Sequence, residues 1–406
     1  MERVADGPSA TVYNPTSATY LAGVRSVGVN GDFPSTSLMD VGRFQKKFHY
    51  YGKQSFEITL ERVINQAGNT TSPTKVHNSF FYETDSYTAG TTNYTDSHIL
   101  SAGNFGDKGS ADGSSKHLAQ YHITILYGPD KFAHLGSGLS GSDADKDKVY
   151  SVTYEYCLVT SINYTFDTGG AITESVTLTT RSLKRNSSHE TLSAYSLPGA
   201  AQSGDVLKKQ DIDIETETIF PSELTSMFDL STTAADGTKT LGLTSMDISI
   251  GLNYREIDDI GLWRGSDQTT TAASYEQNLW KFLTLPVEIT ASFTGITRHP
   301  FPRSLPYGDY SFGSSDFVAE PAEKNAWQEV DEQIRIVASK DPSGSPVVYF
   351  VWDLGQKNYL TSISHSGGDA GGGNVETTLT YQNDNSDIVM ARDTSVQDIN
   401  YPTTPY

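Results

Sequence analysis

From Ser55 to Ile64 apolar and polar side chains alternate without a break, with Phe56, Ile58 and Leu60 on one side and Ser55, Glu57, Thr59 and Glu61 on the other. An extended strand with one covered and one open face fits this pattern, because successive strand side chains point to opposite faces. The same rhythm returns in Val152 to Phe166 and in Ile172 to Leu183. Thr, Val, Ile, Tyr and Phe fill these segments, and all of them suit a pleated, half-buried surface. Between the last two lies Asp167-Thr168-Gly169-Gly170, a hairpin turn signal, since glycine reaches the positive φ of tight turns. The chain is therefore expected to be mainly β. Helical spacing is scarce. Its best instance is Glu320 to Glu332, where Pro321 stands near a start and Ala326, Val330 and Ile334 recur on one face.

The strand-like segments repeat. Sliding the chain along itself sets Thr160-Ser161-Ile162 on Thr361-Ser362-Ile363, Gly170 on Gly371, and Thr177-Leu178-Thr179 on Thr378-Leu379-Thr380. Upstream, Ser26 to Gly42 falls without gaps on Ser245 to Gly261, so that Asp40-Val41-Gly42 meets Asp259-Ile260-Gly261, and Phe44 and Trp263 follow. Phe56-Glu57-Ile58-Thr59 pairs with Val287-Glu288-Ile289-Thr290, and Ile123-Thr124-Ile125-Leu126 with Ile334-Arg335-Ile336-Val337. The matches keep one order along the chain, which favours a duplicated β-domain over chance. A polar stretch from Arg185 to Lys209 has few apolar anchors and divides the chain. The expected domains are residues 1–205, with a polar insertion at 66–116, and residues 206–406. Gly136 to Lys148, dense in Gly, Ser and Asp, reads as another exposed loop.

Composition narrows the function. Across 406 residues, 29 Lys and Arg stand against 49 Asp and Glu, a formal charge of −20, and no basic run offers a footprint for phosphates. Tight nucleic-acid binding is not expected. Val347 to Trp352, the longest strongly apolar stretch, is far too short to cross a bilayer as a helix. Met1 to Asp6 lacks the apolar core of a secretory signal, so folding in a cytosol is expected. Cys157 is the only cysteine and reads as a small buried hydrophobe. No Gly-x-Ser-x-Gly elbow, His-Glu-x-x-His helix or phosphate-binding Gly-x-x-x-x-Gly-Lys loop occurs. Asp143-Ala144-Asp145-Lys146-Asp147 starts like a calcium loop, but Lys148 stands where that loop needs glycine and the closing Glu is missing. His117 and His122 are spaced to point apart, Gly371-Gly372-Gly373 reads as a turn, and carboxylates such as Asp258-Asp259 or Glu57 with Glu61 read as solvated strand or turn residues. The expectation is a protein without catalytic, cofactor or metal site.

Each half thus has a strand leading to Asp-Val/Ile-Gly, a long hairpin, a Glu-Ile-Thr strand, a helix-strand unit and a closing hairpin with a glycine turn. Closest is Cys157-Leu158-Val159-Thr160-Ser161-Ile162-Asn163-Tyr164-Thr165-Phe166, then Gly169-Gly170 and Glu174-Ser175-Val176-Thr177-Leu178. This resembles the tail tube proteins of tailed bacterial viruses, in a duplicated form covering nearly the whole chain. The resemblance implies two tandem β-sandwich or split-barrel domains, each with a short flanking helix and long loops. It also implies self-assembly into stacked rings around a DNA channel, either trimers with pseudo-sixfold symmetry or hexamers decorated by the second copy. Other partners would be tape measure, baseplate and sheath proteins, and DNA would pass without specific binding. The location would be the virion, after synthesis in the bacterial cytoplasm. An N-terminal arm within residues 1–22, carrying Val12, Tyr13, Tyr20 and Leu21, would reach the next ring. Glu57, Glu61 and Glu288 are the candidates to face the channel, outward solvent being the other placement. Two further readings are a tube initiator or baseplate hub, which forms one ring, and a carbohydrate-binding or sugar-cleaving β-sandwich using the abundant Tyr and Trp.

Overall fold

A computed structural model describes residues 2–3, 21, 23–39, 46–51, 54–64, 120–127, 148–167, 170–185, 190–191, 242–257, 280–283, 287–296, 304–305, 308–309, 333–340, 347–354, 358–367 and 375–383, with isolated positions between 206 and 228. Strands dominate them. The first half holds β1 (Glu2–Arg3), β2 (Val24–Asp32), β3 (Ser35–Met39), β4 (Lys46–Tyr51), β5 (Ser55–Val63), β6 (Gln120–Tyr127), β7 (Lys148–Asp167), β8 (Thr173–Thr180), β9 (Ser182–Arg185) and β10 (Glu190–Thr191). The second half holds β11 (Leu243–Gly251), β12 (Tyr254–Ile257), β13 (Trp280–Leu283), β14 (Glu288–Ile296), β15 (Ser304–Leu305), β16 (Gly308–Asp309), β17 (Arg335–Lys340), β18 (Val347–Asp353), β19 (Tyr359–Ser366) and β20 (Glu376–Asn383).

The main path through the sheet is β19-β20-β14-β11-β7-β8-β5-β2, antiparallel throughout. It crosses the polar divide of the sequence without a gap, because β7 pairs directly with β11 from Ser161↔Gly251 to Asp167↔Ser245. One open sheet therefore contains strands from both halves. Within each half the ladder order is the same, β2-β5-β8-β7 and β11-β14-β20-β19. The irregularities also coincide. β2 bulges between Val24 and Ser26 and β11 between Leu243 and Ser245, while β7 bulges between Val159 and Ser161 and β19 between Leu360 and Ser362. The bulged Thr160 and Thr361 hydroxyls each donate to a carbonyl across the ladder, of Thr177 at 3.1 Å and of Thr380 at 3.0 Å. Hairpins β3–β4 and β12–β13 hold equivalent places in the two halves.

Alternation decides which face is covered. In β5, β8, β14 and β20, and in β11 beyond its bulge, every second residue is buried. Ile58, Val176, Leu178, Ile248, Phe293 and Leu379 are at most 1% exposed, and each such side chain contributes roughly 1.5–3 kcal/mol of apolar burial. The covering layer includes the β17–β18 hairpin, whose Trp352 meets Tyr164 and Phe166 of β7 edge-on at centroid distances of 5.7 and 4.9 Å. Residues 212 and 219 bridge to Ala338 and Arg335, adding chain to the outer side of that hairpin. Cys157 is fully buried, its Sγ donating to the Tyr154 carbonyl at 3.3 Å, as expected of a small core residue.

The expected strands appear with altered ends. Val152 to Phe166 lies inside the longer β7, and the Asp167–Gly170 turn closes through Gly170 N–H to the Asp167 carbonyl at 3.2 Å. Ile172 to Leu183 is two strands, because β8 pairs with the C-terminal part of β7 whereas β9 pairs with its N-terminal part, from Val152 to Glu155. The helix expected at Glu320 to Glu332, the 66–116 insertion, the Asp143–Asp147 loop and Gly371-Gly372-Gly373 lie outside the described residues.

Two tests follow. Trp352→Ala removes the ring that joins β18 to β7 and lowers the unfolding free energy by about 3–5 kcal/mol, measured by urea denaturation followed by circular dichroism. At His122, burial first and the nearby Lys184 charge second together push the imidazole pKa down to about 4. The folded pKa lies below the unfolded one, so this contribution to stability is complete above about pH 6.5 and declines as pH falls toward 4. Wild type should therefore lose on the order of 3 kcal/mol more than His122→Gln between pH 7.5 and 4. Equal losses in the two proteins would remove His122 from the account.

Candidate functional site

Among the described residues, the face of the sheet turned away from the core is rich in short polar side chains. β8 presents Thr173, Ser175, Thr177 and Thr179, and β14 presents Thr290, Ser292 and Thr294. β19 adds Ser362, Ser364 and Ser366. Cross-strand hydroxyl pairs tie this surface together, Thr294 with Thr378 at 2.9 Å and Ser292 with Thr380 at 3.3 Å. Thr244 donates to Glu376 at 2.8 Å, and Ser26 to Glu61 at 3.2 Å. Threonine serves both requirements here, since its branched Cβ favours the strand while its hydroxyl keeps the face wet.

At the main-path ladder positions, charge on this face is one-sided. Asp32, Glu57 and Glu61 lie on one half, Asp167 and Asp247 beside the β7–β11 joint, and Glu288 and Glu376 on the other half. No main-path ladder position on the open face between Val24 and Asn383 carries Lys or Arg among the described residues. Arg25, at the β2 bulge, comes within 4.0 Å of Glu61, but both side chains are about half exposed and the pair contributes little.

Glu57, Glu61 and Glu288 all stand on this face. The ladders place them differently from the sequence match, however. Gly31↔Phe56 and Ile250↔Ile289 are equivalent pairs, so Phe56 corresponds to Ile289, two residues beyond the Val287 set against it by sequence. Glu57 thus corresponds to Thr290, and Glu288 to Ser55. The closing hairpins slip likewise, since Ser161↔Thr177 corresponds to Ser362↔Thr380. A slip of two residues preserves the face of every side chain, which is why the alternation conceals it.

Two strand edges complete the surface. β2 and β19 end the main path, and no described strand pairs with the outer edge of either. On β2 even the core-side residues are open to solvent, Val27 at 43%, Val29 at 39% and Phe33, just past its end, at 57%. Their counterparts Met246, Ile248 and Leu252 are at most 3% exposed because β7 covers the edge of β11. The alignment of Ser26 to Gly42 with Ser245 to Gly261 already contained these three pairs, but the sequence reading passed over them as candidate residues. Of the expected arm, Leu21 packs half-buried against the core, while Val12, Tyr13 and Tyr20 lie outside the described residues.

Among the described residues no three His, Cys, Asp or Glu side chains gather to hold a metal ion, and no helix is long and apolar enough to cross a membrane. No protein-family model matches the chain, and no curated protein is similar enough to align with it. Function must be argued from the open face and the edges.

Along the main path, the described open-face residues offer carboxylates and hydroxyls but few of the cations that hold phosphates. Duplex DNA should therefore not shift in gel electrophoresis with the wild-type protein at low salt. The triple variant Glu57→Lys/Glu61→Lys/Glu288→Lys should acquire weak binding that falls with salt, with a log–log slope up to about −3 for three new phosphate contacts.

Proposed function

We propose that this chain is a structural protein of a virus tail, two tandem copies of one β-module whose copies join side by side into rings and stack into the tube through which the genome passes. The observation that carries this reading is the β7–β11 joint. The two halves repeat the same four-strand order and the same bulges, and the last strand of one set pairs with the first strand of the other. Such a head-to-tail contact, repeated between chains, closes into a ring or continues as a filament. Closure also removes the exposed strand edges that otherwise favour indiscriminate pairing.

The open face supports the same reading. Turned inward, it would line a channel with hydroxyls and carboxylates, repelling phosphates and leaving DNA free to slide. Glu57, Glu61 and Glu288 would then face the lumen. Both halves contribute to one sheet, which favours rings of three chains with pseudo-sixfold symmetry over hexamers decorated by the second half. The N-terminal segment around Val12, Tyr13, Tyr20 and Leu21 would serve contacts between rings. A tube initiator or hub would use the same joint and stop after one ring. A sugar-binding module fits less well, because most of the aromatics placed by ring contacts, among them Phe56, Tyr154, Tyr164, Phe293 and Tyr381, are buried in the core, with Phe33 the exposed exception at the β2 edge.

Negative-stain electron microscopy of the purified full-length protein is the test. Long hollow tubes with a bore wide enough for a duplex are expected. Single rings that never elongate would transfer the proposal to the initiator, and monodisperse monomers at high concentration would overturn both.

A further inference from the structure

The joint inside the chain offers a template for a joint between chains. Equivalent bulges fix which residue of β2 corresponds to which of β11, and which of β19 to which of β7, so the internal pairing can be transferred residue by residue. We infer that β2 of one copy pairs antiparallel with β19 of the next in one defined register, with Val29 opposite His365 and Gly31 opposite Ile363 on the covered face, and Asn30 opposite Ser364 on the open face. These are the counterparts of Ile248↔Tyr164, Ile250↔Ile162 and Ser249↔Asn163. The inference takes from the proposed function only that the partner is a second copy of this chain.

Three observations converge on that occupant. First, the residues that would become covered are the apolar ones now exposed on β2, Val27, Val29 and Phe33, whose counterparts are buried at the internal joint. Second, cross-strand contacts already match on the receiving side. Tyr164 donates to Glu174 at 2.8 Å within the β7–β8 pair, and at the equivalent position of β19–β20 the His365 Nδ1 lies 2.9 Å from the Thr377 hydroxyl. Third, the internal joint runs past the strand end, where Leu252 N–H donates to the Thr160 carbonyl at 2.8 Å. Transferred, that bond joins the Phe33 N–H to the Thr361 carbonyl of the next copy, at the bulge shared by β7 and β19. Gly31 belongs to the same device. A Cβ there would lie 3.1 Å from the Phe33 ring and 3.2 Å from that of Phe56, so its absence lets Phe33 lie back edge-on against Phe56.

Disulfide trapping reads the register. The full-length double variant Asn30→Cys/Ser364→Cys should form a ladder of covalent multimers on a non-reducing gel after mild oxidation. Asn30→Cys/Ser362→Cys, which tests a slip of two residues on the same face, should form at least tenfold less. Buried Cys157 remains in place, and each single variant serves as a control. Equal or stronger trapping by the Ser362 pair would overturn the register, and a fast-migrating cross-linked monomer would show the two edges meeting within one chain. Tubes seen by microscopy without trapping in either variant would overturn the joint while leaving the tube reading intact, whereas trapped multimers without tubes would do the reverse. As a second readout, Val29→Glu places a carboxylate at an exposed position and should preserve the circular dichroism and melting of the monomer while weakening multimer formation at least tenfold. Undiminished assembly of that variant would also reject the joint.

Discussion

The antiparallel ladder between β7 and β11 holds the architecture together. Without it the chain would be two separate four-stranded sets. With it, eight strands share one covered face and one open face. The ladder also explains why the core is continuous, since Ile162, Tyr164 and Phe166 on one side of the joint and Met246, Ile248 and Ile250 on the other are all at most 1% exposed. Each strand shields its neighbour's backbone and side chains at once. β2 and β19 show the same chemistry before such shielding, which makes the joint a measure of what their edges stand to gain.

The halves are alike in ladder but not in what fills the space beneath it. In the first half Arg62 Nε donates to Glu174, which also accepts the Tyr164 hydroxyl, and all three side chains are at most 2% exposed. The equivalent positions in the second half are Gly295, Thr377 and His365. No ion pair is possible there. Phe228 occupies the room instead, so close that a Cβ on Gly295 would stand 2.8 Å from its ring. A buried ion pair adds little net stability over an apolar filling, yet breaking it strands a charge. Tyr164, beside the internal joint, is thus fixed from two sides, whereas His365 on the outer strand has the lighter contact with Thr377. The permanent joint is the more rigidly buttressed one.

Much of this was legible in the sequence because it resides in side chains. Alternation through Phe56, Ile58 and Leu60 gave β5 and its facing, and the gapless match of Ser26 with Ser245 set β2 on β11 in the observed correspondence. The union of the halves into one sheet was not legible. Ladder hydrogen bonds are made by main-chain groups that carry no residue identity, so nothing in Asn163 or Ser249 announces that they lie opposite each other. The same blindness produced the two-residue slips, which period two cannot detect. The split of β8 from β9 at Arg181 escaped for a related reason. Its cause is that β7 is long enough to receive two partners in succession, a property of the partner and not of the segment that breaks.

The open face reveals constraint through what it omits. A solvated strand surface ordinarily mixes Lys with Glu, since both signs help solubility and lysine discourages stray pairing. Here, among the described residues, the open-face positions of the main-path ladders are rich in Thr and Ser and include seven carboxylates, and the edges are guarded by no lysine on β2 or β19. For a sheet meant to remain solitary this leaves both borders open to aggregation. For a sheet whose borders are filled by its own copies, edge lysines would obstruct the joint, and lysines on the face would grip phosphates. Under the proposed function one composition would serve both purposes, because the lack of lysine that would keep a channel from binding DNA would also leave the strand edges free for the next copy.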